Sequence, residues 1–235
     1  KGTSEYGSVL ANVNTSVMTV KGSTFSGNGG TSKGVVAALG NHAVLTITSS
    51  ESGRYTVFSG NNNGYASVLG LNAKIYVSNT IFKDNTNGKA IEASFNNASY
   101  KDHTELDGVT FSNNAKGALT IQTYASIKDS RFLSATDSIS SNGTLDFSGD
   151  IELNAALMGT GTFNAENAAF TFGNTINVVI GNLLFAENST NSITIKGSAT
   201  LNFAAAQSFD NVQTITIDGS GVSKAGSVIL AKNFT

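Results

Sequence analysis

The sequence predicts an all-β fold, a right-handed parallel β-helix with three short strands per rung, and three observations carry that prediction. The pattern Phe-x-x-Asn returns as Phe25-Ser26-Gly27-Asn28, Phe58-Ser59-Gly60-Asn61, Phe82-Lys83-Asp84-Asn85 and Phe111-Ser112-Asn113-Asn114, with 33, 24 and 29 residues between phenylalanines. A fifth copy in phase, Phe132-Leu133-Ser134-Ala135, keeps the Phe but not the Asn. Aliphatic residues keep step with it: Val20, Val77, Leu106 and Ile127 each stand five residues before a Phe. The β-prone runs are short and bounded by Gly, Asn or Ser, and no stretch keeps a 3.6-residue apolar period with caps. Repetition at such a period signals a solenoid, whose units bury their apolar faces only by stacking on one another. The hand follows from the right-handed preference of parallel crossovers.

Gly64 to Asn85 serves as the reference unit. Gly64 to Gly70, Ala73 to Val77 and Thr80 to Asn85 read as three strands, with Leu71-Asn72 and Ser78-Asn79 as corners. The second unit departs from it, because Ile47 lies 11 residues before Phe58. Its extra residues, Ser49-Ser50-Glu51-Ser52-Gly53-Arg54, fall between the second and third strands. The fourth unit is longer near Asn97 to Lys101. Stacked rung on rung, Asn28, Asn61, Asn85 and Asn114 are expected to form an amide ladder at a corner, each in left-handed backbone geometry. Gly34, Gly64, Gly88 and Gly117 are expected to allow the bend that opens the next unit.

Residues 1–135 are the Phe-x-x-Asn rungs with corner insertions, and residues 136–235 read as the same coil continued with more regular rungs. Thr144-Leu145-Asp146-Phe147, Ala169 to Phe172, Ser192 to Ile195 and Thr214 to Ile217 alternate, and Phe170, Ile193 and Ile215 are 23 and 22 residues apart. Phe185-Ala186-Glu187-Asn188 reads as one more copy of the motif. Val178 to Phe185, nearly all apolar, is expected to be the most buried stretch.

Composition limits function. Charged residues are 13% of the chain, with no Pro, Cys or Trp, against about 25% charged in typical globular domains. A net charge of −2 supplies no basic face for nucleic acid. The charge is uneven: residues 1–135 hold 11 basic and 8 acidic side chains, residues 136–235 hold 3 and 8. The absence of cysteine removes disulfides and thiolate chemistry. No apolar run approaches the roughly 20 residues that cross a bilayer. The chain begins at Lys1 and stops in mid-pattern at Phe234-Thr235, which reads as a piece of something longer.

The repeated Phe-x-x-Asn, followed by glycine-led aliphatic pairs, resembles the polymorphic outer-membrane protein repeats of autotransporter passenger domains. The family's companion motif is Gly-Gly-Ala followed by an aliphatic. Here its counterparts are Gly29-Gly30-Thr31, Gly34-Val35-Val36, Gly88-Lys89-Ala90-Ile91 and Gly117-Ala118-Leu119. The match covers residues 1–135 in period and the rest loosely. The resemblance implies an exported, non-catalytic adhesin segment at the cell surface, with a membrane-anchoring barrel outside this stretch. Its partner would be a host-cell receptor, a matrix protein or a glycan.

Candidate contact residues lie in the corner insertions and among the exposed aromatics: Arg54, Tyr55, Tyr65, Tyr76, Tyr100, Lys101 and His103, with Tyr124 spread among them. Tyr76 should face outward between inward Ile75 and Val77. The run Asp102-His103-Thr104-Glu105-Leu106-Asp107 puts His103, Glu105 and Asp107 on one face, but one strand supplies too few ligands for a metal centre. No metal and no cofactor is therefore expected. His42 sits at a corner without an acidic neighbour and should face solvent. The alternative is a polysaccharide-processing or glycan-binding β-helix, whose cleavage chemistry needs gathered carboxylates; Asp84, Asp107 and Asp129 are the candidates. Thr-x-Thr pairs stand at Thr46-Thr48 and Thr214-Thr216 but not between, so no continuous threonine face is expected.

Overall fold

Each strand lies beside the matching strand of the neighbouring repeat unit and hydrogen-bonds to it in parallel, so the fold is all-β. The computed structural model describes residues 7–30, 33–94, 104–173, 177–181, 183–197, 199–203 and 207–219, and no helix occurs among them. First strands of successive units (Gly7–Val13, Gly34–Leu39, Ala66–Leu71, Lys89–Ser94, Leu119–Ile121, Ile139–Ser141 and Leu157–Met158) form one seven-stranded sheet. Second strands run from Val17–Lys21 through Val44–Thr48, Lys74–Ser78 and Thr104–Asp107 to Tyr124–Lys128. Third strands run from Thr24–Ser26 through Thr56–Ser59, Thr80–Lys83 and Thr110–Ser112 to Arg131–Phe132.

These two series join at Thr144–Leu153, a single strand that pairs with Tyr124–Lys128 at one end and Arg131–Phe132 at the other. Thr162–Phe172 follows it, then Leu183–Phe185 beside one half and Asn191–Lys196 beside the other, and last Val212–Asp218. Phe170, Ile193 and Ile215 are register partners, as their spacing predicts.

The interior consists of columns. Phe25, Phe58, Phe82, Phe111 and Phe132 stand opposite one another in register. Their ring centroids are 4.7, 4.8, 5.3 and 4.9 Å apart, with planes within 12° of parallel. The strand spacing of about 4.8 Å therefore sets the stacking distance. Beside it runs Val20, Ile47, Val77, Leu106, Ile127, Phe147, Ala165 and Phe185. Ile47 holds its place in this column because the insertion that displaces it in sequence loops out between strands. The motif at Phe185 is thus not a further copy of the first four: Phe185 stands in the aliphatic column, and Leu153 and Phe172 continue the phenylalanine column.

The amide ladder is present. Asn28 Nδ2 donates to Asn61 Oδ1 at 3.0 Å, Asn61 to Asn85 at 3.0 Å and Asn85 to Asn114 at 2.7 Å. Each Oδ1 also takes a backbone N–H from the preceding unit where Asn28 and Asn61 donate, at 3.1 and 3.0 Å. The spare amide hydrogens of Asn61, Asn85 and Asn114 go to the carbonyls of Phe25, Phe58 and Phe82. The ladder ends on Asp137, which the motif does not announce. Its Oδ1 accepts from Asn114 N and Nδ2, both at 2.8 Å, and its Oδ2 accepts from Asn113 N and Ser134 N at 3.2 and 3.0 Å. Asp137 is fully buried. Burial pushes its carboxyl above the usual value, against the opposing pull of the hydrogen bonds from Asn114, Ser134 and Asn113.

Several expectations need correction. The left-handed residue is the one before each ladder Asn, namely Gly27, Gly60, Asp84 and Asn113, with φ of 62°, 60°, 56° and 57°. The Asn itself must keep its side chain aimed along the stack, so the turn is made one residue earlier. Of the four unit-opening glycines only Gly117 has positive φ, at 109°. Gly88 matters for a different reason: a Cβ there would sit 2.4 Å from the Tyr65 carbonyl, where two backbones pass closely. Val178 to Phe185 is not continuously buried. Ile180, Leu183 and Phe185 point inward, whereas Val179 and Leu184 are exposed, because strand alternation outweighs hydrophobicity at these sites.

Asn85→Ala should cost about 2–4 kcal/mol, because buried groups of Asn61, Asn114 and Phe58 all lose a partner. Asn28→Ala, at the open end of the ladder, should cost under about 1 kcal/mol. Urea denaturation midpoints check this, and equal losses at the two sites would refute the ladder's role.

Candidate functional site

A parallel strand with one face buried must present its alternate residues outward, and the second strands do this over eight units. In register, Thr19, Thr46, Tyr76, Glu105, Ser126, Asp146, Asn164 and Leu184 form one outward column. Tyr124 lies one position over, two residues before Ser126, and its hydroxyl donates to Asp146 Oδ2 at 2.7 Å. Asn164 Nδ2 donates to the other oxygen, Oδ1, at 2.8 Å. Asp146 thus fixes both a phenol and an amide on the same face. Beyond it, Asp146, Asn164, Glu166, Leu184, Phe185 and Ala186 line a shallow cavity of about 300 Å³.

The Tyr124 phenol is pushed up to about 12. Burial contributes most, then the hydrogen bond to Asp146, with the charges of Asp146 and Glu105 adding to it. The phenol therefore stays a neutral donor at physiological pH. Tyr76 and Tyr124 give two aromatic rings, and Asp146 and Asn164 give fixed polar groups. This is a surface able to meet hydroxyl-rich or extended chain ligands.

The residues predicted from sequence are not gathered into one site. Tyr76 is half-buried on the outward column, as its alternation predicts. Arg54 and Tyr55 are exposed on the corner insertion between the second and third strands of unit two. That insertion is an ordered loop built on Ser50: Ser50 N donates to Arg54 O at 2.8 Å, Arg54 N to Ser50 Oγ at 3.0 Å and Gly53 N to Ser50 O at 2.9 Å. Tyr65 is exposed at a different corner, just before the first strand of unit three, with the Lys33 ammonium 5.9 Å above its ring. His42 is exposed at its corner. Tyr100, Lys101 and His103 lie outside the described residues, as do Asp102 and the Asn97 to Lys101 insertion.

Among the carboxylates proposed for cleavage chemistry, Asp107 and Asp129 come together on adjacent units. The Lys128 ammonium stands between them, 3.4 Å from Asp107 and 3.5 Å from Asp129. A glycosidic bond would have to occupy the space between two carboxyl groups, and here a cation fills it. The two acids, Asp107 first, raise the Lys128 pKa. Asp84 is elsewhere, accepting from Asn113 Nδ2 at 3.4 Å. Among the described residues no group of three or more His, Cys, Asp or Glu is arranged to hold a metal ion.

Asp146, Asn164, Glu166 and Leu184 were missed from the sequence, although Thr144 to Phe147 already alternates. Carrying the outward column past residue 135 would have found them.

Unfolding should release the Tyr124 constraint. Because the folded pKa lies above the ordinary 10.0, the stability it carries is complete below that pH and is lost as pH rises towards about 12. Alkaline unfolding followed by phenolate absorbance should show this loss, and Tyr124→Phe should flatten it. An unchanged pH profile in that variant would refute the Tyr124–Asp146 coupling.

Comparison with family models, with curated proteins and with solved structures finds no match to this chain.

Proposed function

We propose that the chain is a right-handed parallel β-helix segment of an exported cell-surface adhesin of the polymorphic outer-membrane protein type. In this reading it is a non-catalytic scaffold whose corner loops and outer faces bind a host-cell receptor, matrix protein or glycan. It binds no nucleic acid, and its membrane anchor is a separate segment of the protein. The repeat of Phe-x-x-Asn and the parallel stacking of units support the solenoid.

The observation that carries the binding role is the loop at residues 49–55. In unit three the corresponding corner is one residue, Asn79, between Ser78 and Thr80. The flanking geometry is the same in both units: Thr80 Oγ1 donates to Ser78 O at 2.8 Å, and Thr56 Oγ1 to Thr48 O at 2.6 Å. Stacking therefore needs none of the extra residues. A loop that the scaffold does not need, yet holds by hydrogen bonds with Arg54 and Tyr55 exposed, is suited to display.

Replacing Ser49 to Tyr55 with a single Asn should recreate the Ser78-Asn79-Thr80 corner and leave thermal unfolding cooperative within a few degrees. The same variant should lose binding to host cells or matrix-coated surfaces. Binding at full strength by the shortened, folded protein would remove the loop from the proposal.

A further inference from the structure

A second concave surface lies on the outer face of the third strands, where Arg131, Asp150, Glu152, Ala169, Thr171 and Lys196 enclose about 500 Å³. That is within the range of small-molecule sites. It has a physical origin in the register. Arg131, Glu152, Thr171 and Thr194 form one outward column, and Asp150, Ala169 and Ser192 another. Long side chains in units five and six are followed by Ala169 and Thr171 in unit seven, and Lys196 closes the far side in unit eight. The hollow is the step between them.

Most charges at its edge are committed. Arg131 grips Glu152 through Nε at 2.8 Å and a terminal nitrogen at 2.6 Å, and Asn154 donates to the other Glu152 oxygen at 3.3 Å. Asp129 takes the Asp150 backbone N–H at 2.9 Å and sits 3.5 Å from the Lys128 ammonium. Two ionic side chains have no partner among the described residues: the Asp150 carboxylate and the Lys196 ammonium. They belong to units six and eight, two strand spacings or roughly 9.6 Å apart, and Lys196 also stands four residues, roughly 13 Å, further along its strand than Ser192, which is in register with Asp150. An acceptor end and a donor end therefore lie diagonally across the hollow, about 16 Å apart at the backbone, with the Thr171 hydroxyl and the Ala169 methyl on the floor between them.

We propose that this hollow binds a short run of neutral sugar residues, two or three long, within a glycan chain. Vicinal hydroxyls of the sugar at one end donate to the two Asp150 oxygens, the Lys196 ammonium donates to hydroxyl or ring oxygens of the sugar at the other end, and Thr171 serves the middle. Asp129 also lines the hollow, so three carboxylates (Asp129, Asp150 and Glu152) stand against two cations (Arg131 and Lys196), which disfavours uronates and leaves neutral sugars as the better fit. Thr194 and Thr216 continue the Thr171 column along the stack, so neighbouring sugars of the same chain meet further hydroxyls. The site lies on a different strand face from the second-strand tyrosines and stands independently of the Ser49 to Tyr55 loop.

The test is amide-resolved NMR titration of the whole chain with neutral hexose and N-acetylhexosamine trisaccharides, a uronate trisaccharide and triglycine. Neutral trisaccharides should shift the amides of Asp150, Ala169, Thr171 and Lys196 saturably. Asp150→Ala and Lys196→Ala should each weaken binding about tenfold, with the spectrum otherwise folded. The loop-replacement protein should bind the sugars as the parent does, which separates failure here from failure of the adhesin reading. The proposal is overturned by silence with every neutral sugar, by preference for the uronate or triglycine, or by shifts that map elsewhere.

Discussion

The stack depends on a row of buried amides that point the same way. At one corner every unit must turn its backbone inside the protein, and the polar groups there have no water to meet. Asparagine answers this because it carries both an acceptor and donors on one short side chain. One amide hydrogen goes forward to the next unit, the other goes back to a phenylalanine carbonyl, and the oxygen receives from the unit behind. No apolar residue could do this, and Asp or Ser could do only part of it. A row of aligned amides also has polarity, and its donor end must stop on something that only accepts. Asp137 supplies two such oxygens and takes four N–H groups. An amide there would set its own NH₂ against the N–H of Asn113 or Ser134.

The ladder and the phenylalanine stack are coupled by position. Phe and Asn are three residues apart in each motif, so each unit that contributes a ring also contributes an amide. The rings bury apolar surface and meet face to face at the strand spacing. Such pairs are worth about 0.5–1.5 kcal/mol each beyond their burial, but stacking of this kind tolerates sliding. Hydrogen bonds at 2.7–3.0 Å between amides do not. The rings supply most of the driving force, and the amides fix the register in which it is realised. Where the Asn is lost, at Phe132, the ring still stacks, and the turn to Asp137 restores the polar contact from a different place in sequence.

The units were legible because their period is written in residues that face inward. Phe82, Val77 and Asn85 each repeat at a fixed place, and even the insertion in unit two could be located by the misplacement of Ile47. What was not legible follows from the same logic. Asp137 lies outside the motif because a turn, not a strand, delivers it. The left-handed residue was placed on the Asn because Asn tolerates that geometry, but the side chain's duty along the ladder leaves the turn to Gly27, Gly60, Asp84 and Asn113. The Val178 to Phe185 run looked buried by hydrophobicity alone, whereas alternation put Leu184 on the surface beside Asp146. Surface columns were harder still, because nothing in stacking requires Tyr76, Glu105 and Asp146 to resemble one another.

That last difference is why the outer faces are the place to look for function. Inward columns are constrained unit by unit, and a change there strains its neighbours on both sides. Outward columns obey only alternation. A tyrosine can stand above a glutamate, a threonine beneath an arginine, and the scaffold is indifferent. The corners between second and third strands show an intermediate case. Asn79, Gly108, Asp129, Gly149 and Asn167 all have positive φ, so backbone geometry restricts the corner to Gly, Asn or Asp. Where a side chain is present it also works: Asp129 accepts from the Asp150 N–H in the next unit, and Asn167 from that of Thr190. In unit two the same corner carries a seven-residue loop instead of one residue, with the hydroxyl bond of Thr56 kept intact on its inner side. The fold confines its requirement to that inner bond and leaves the outer loop free to be selected for what it touches.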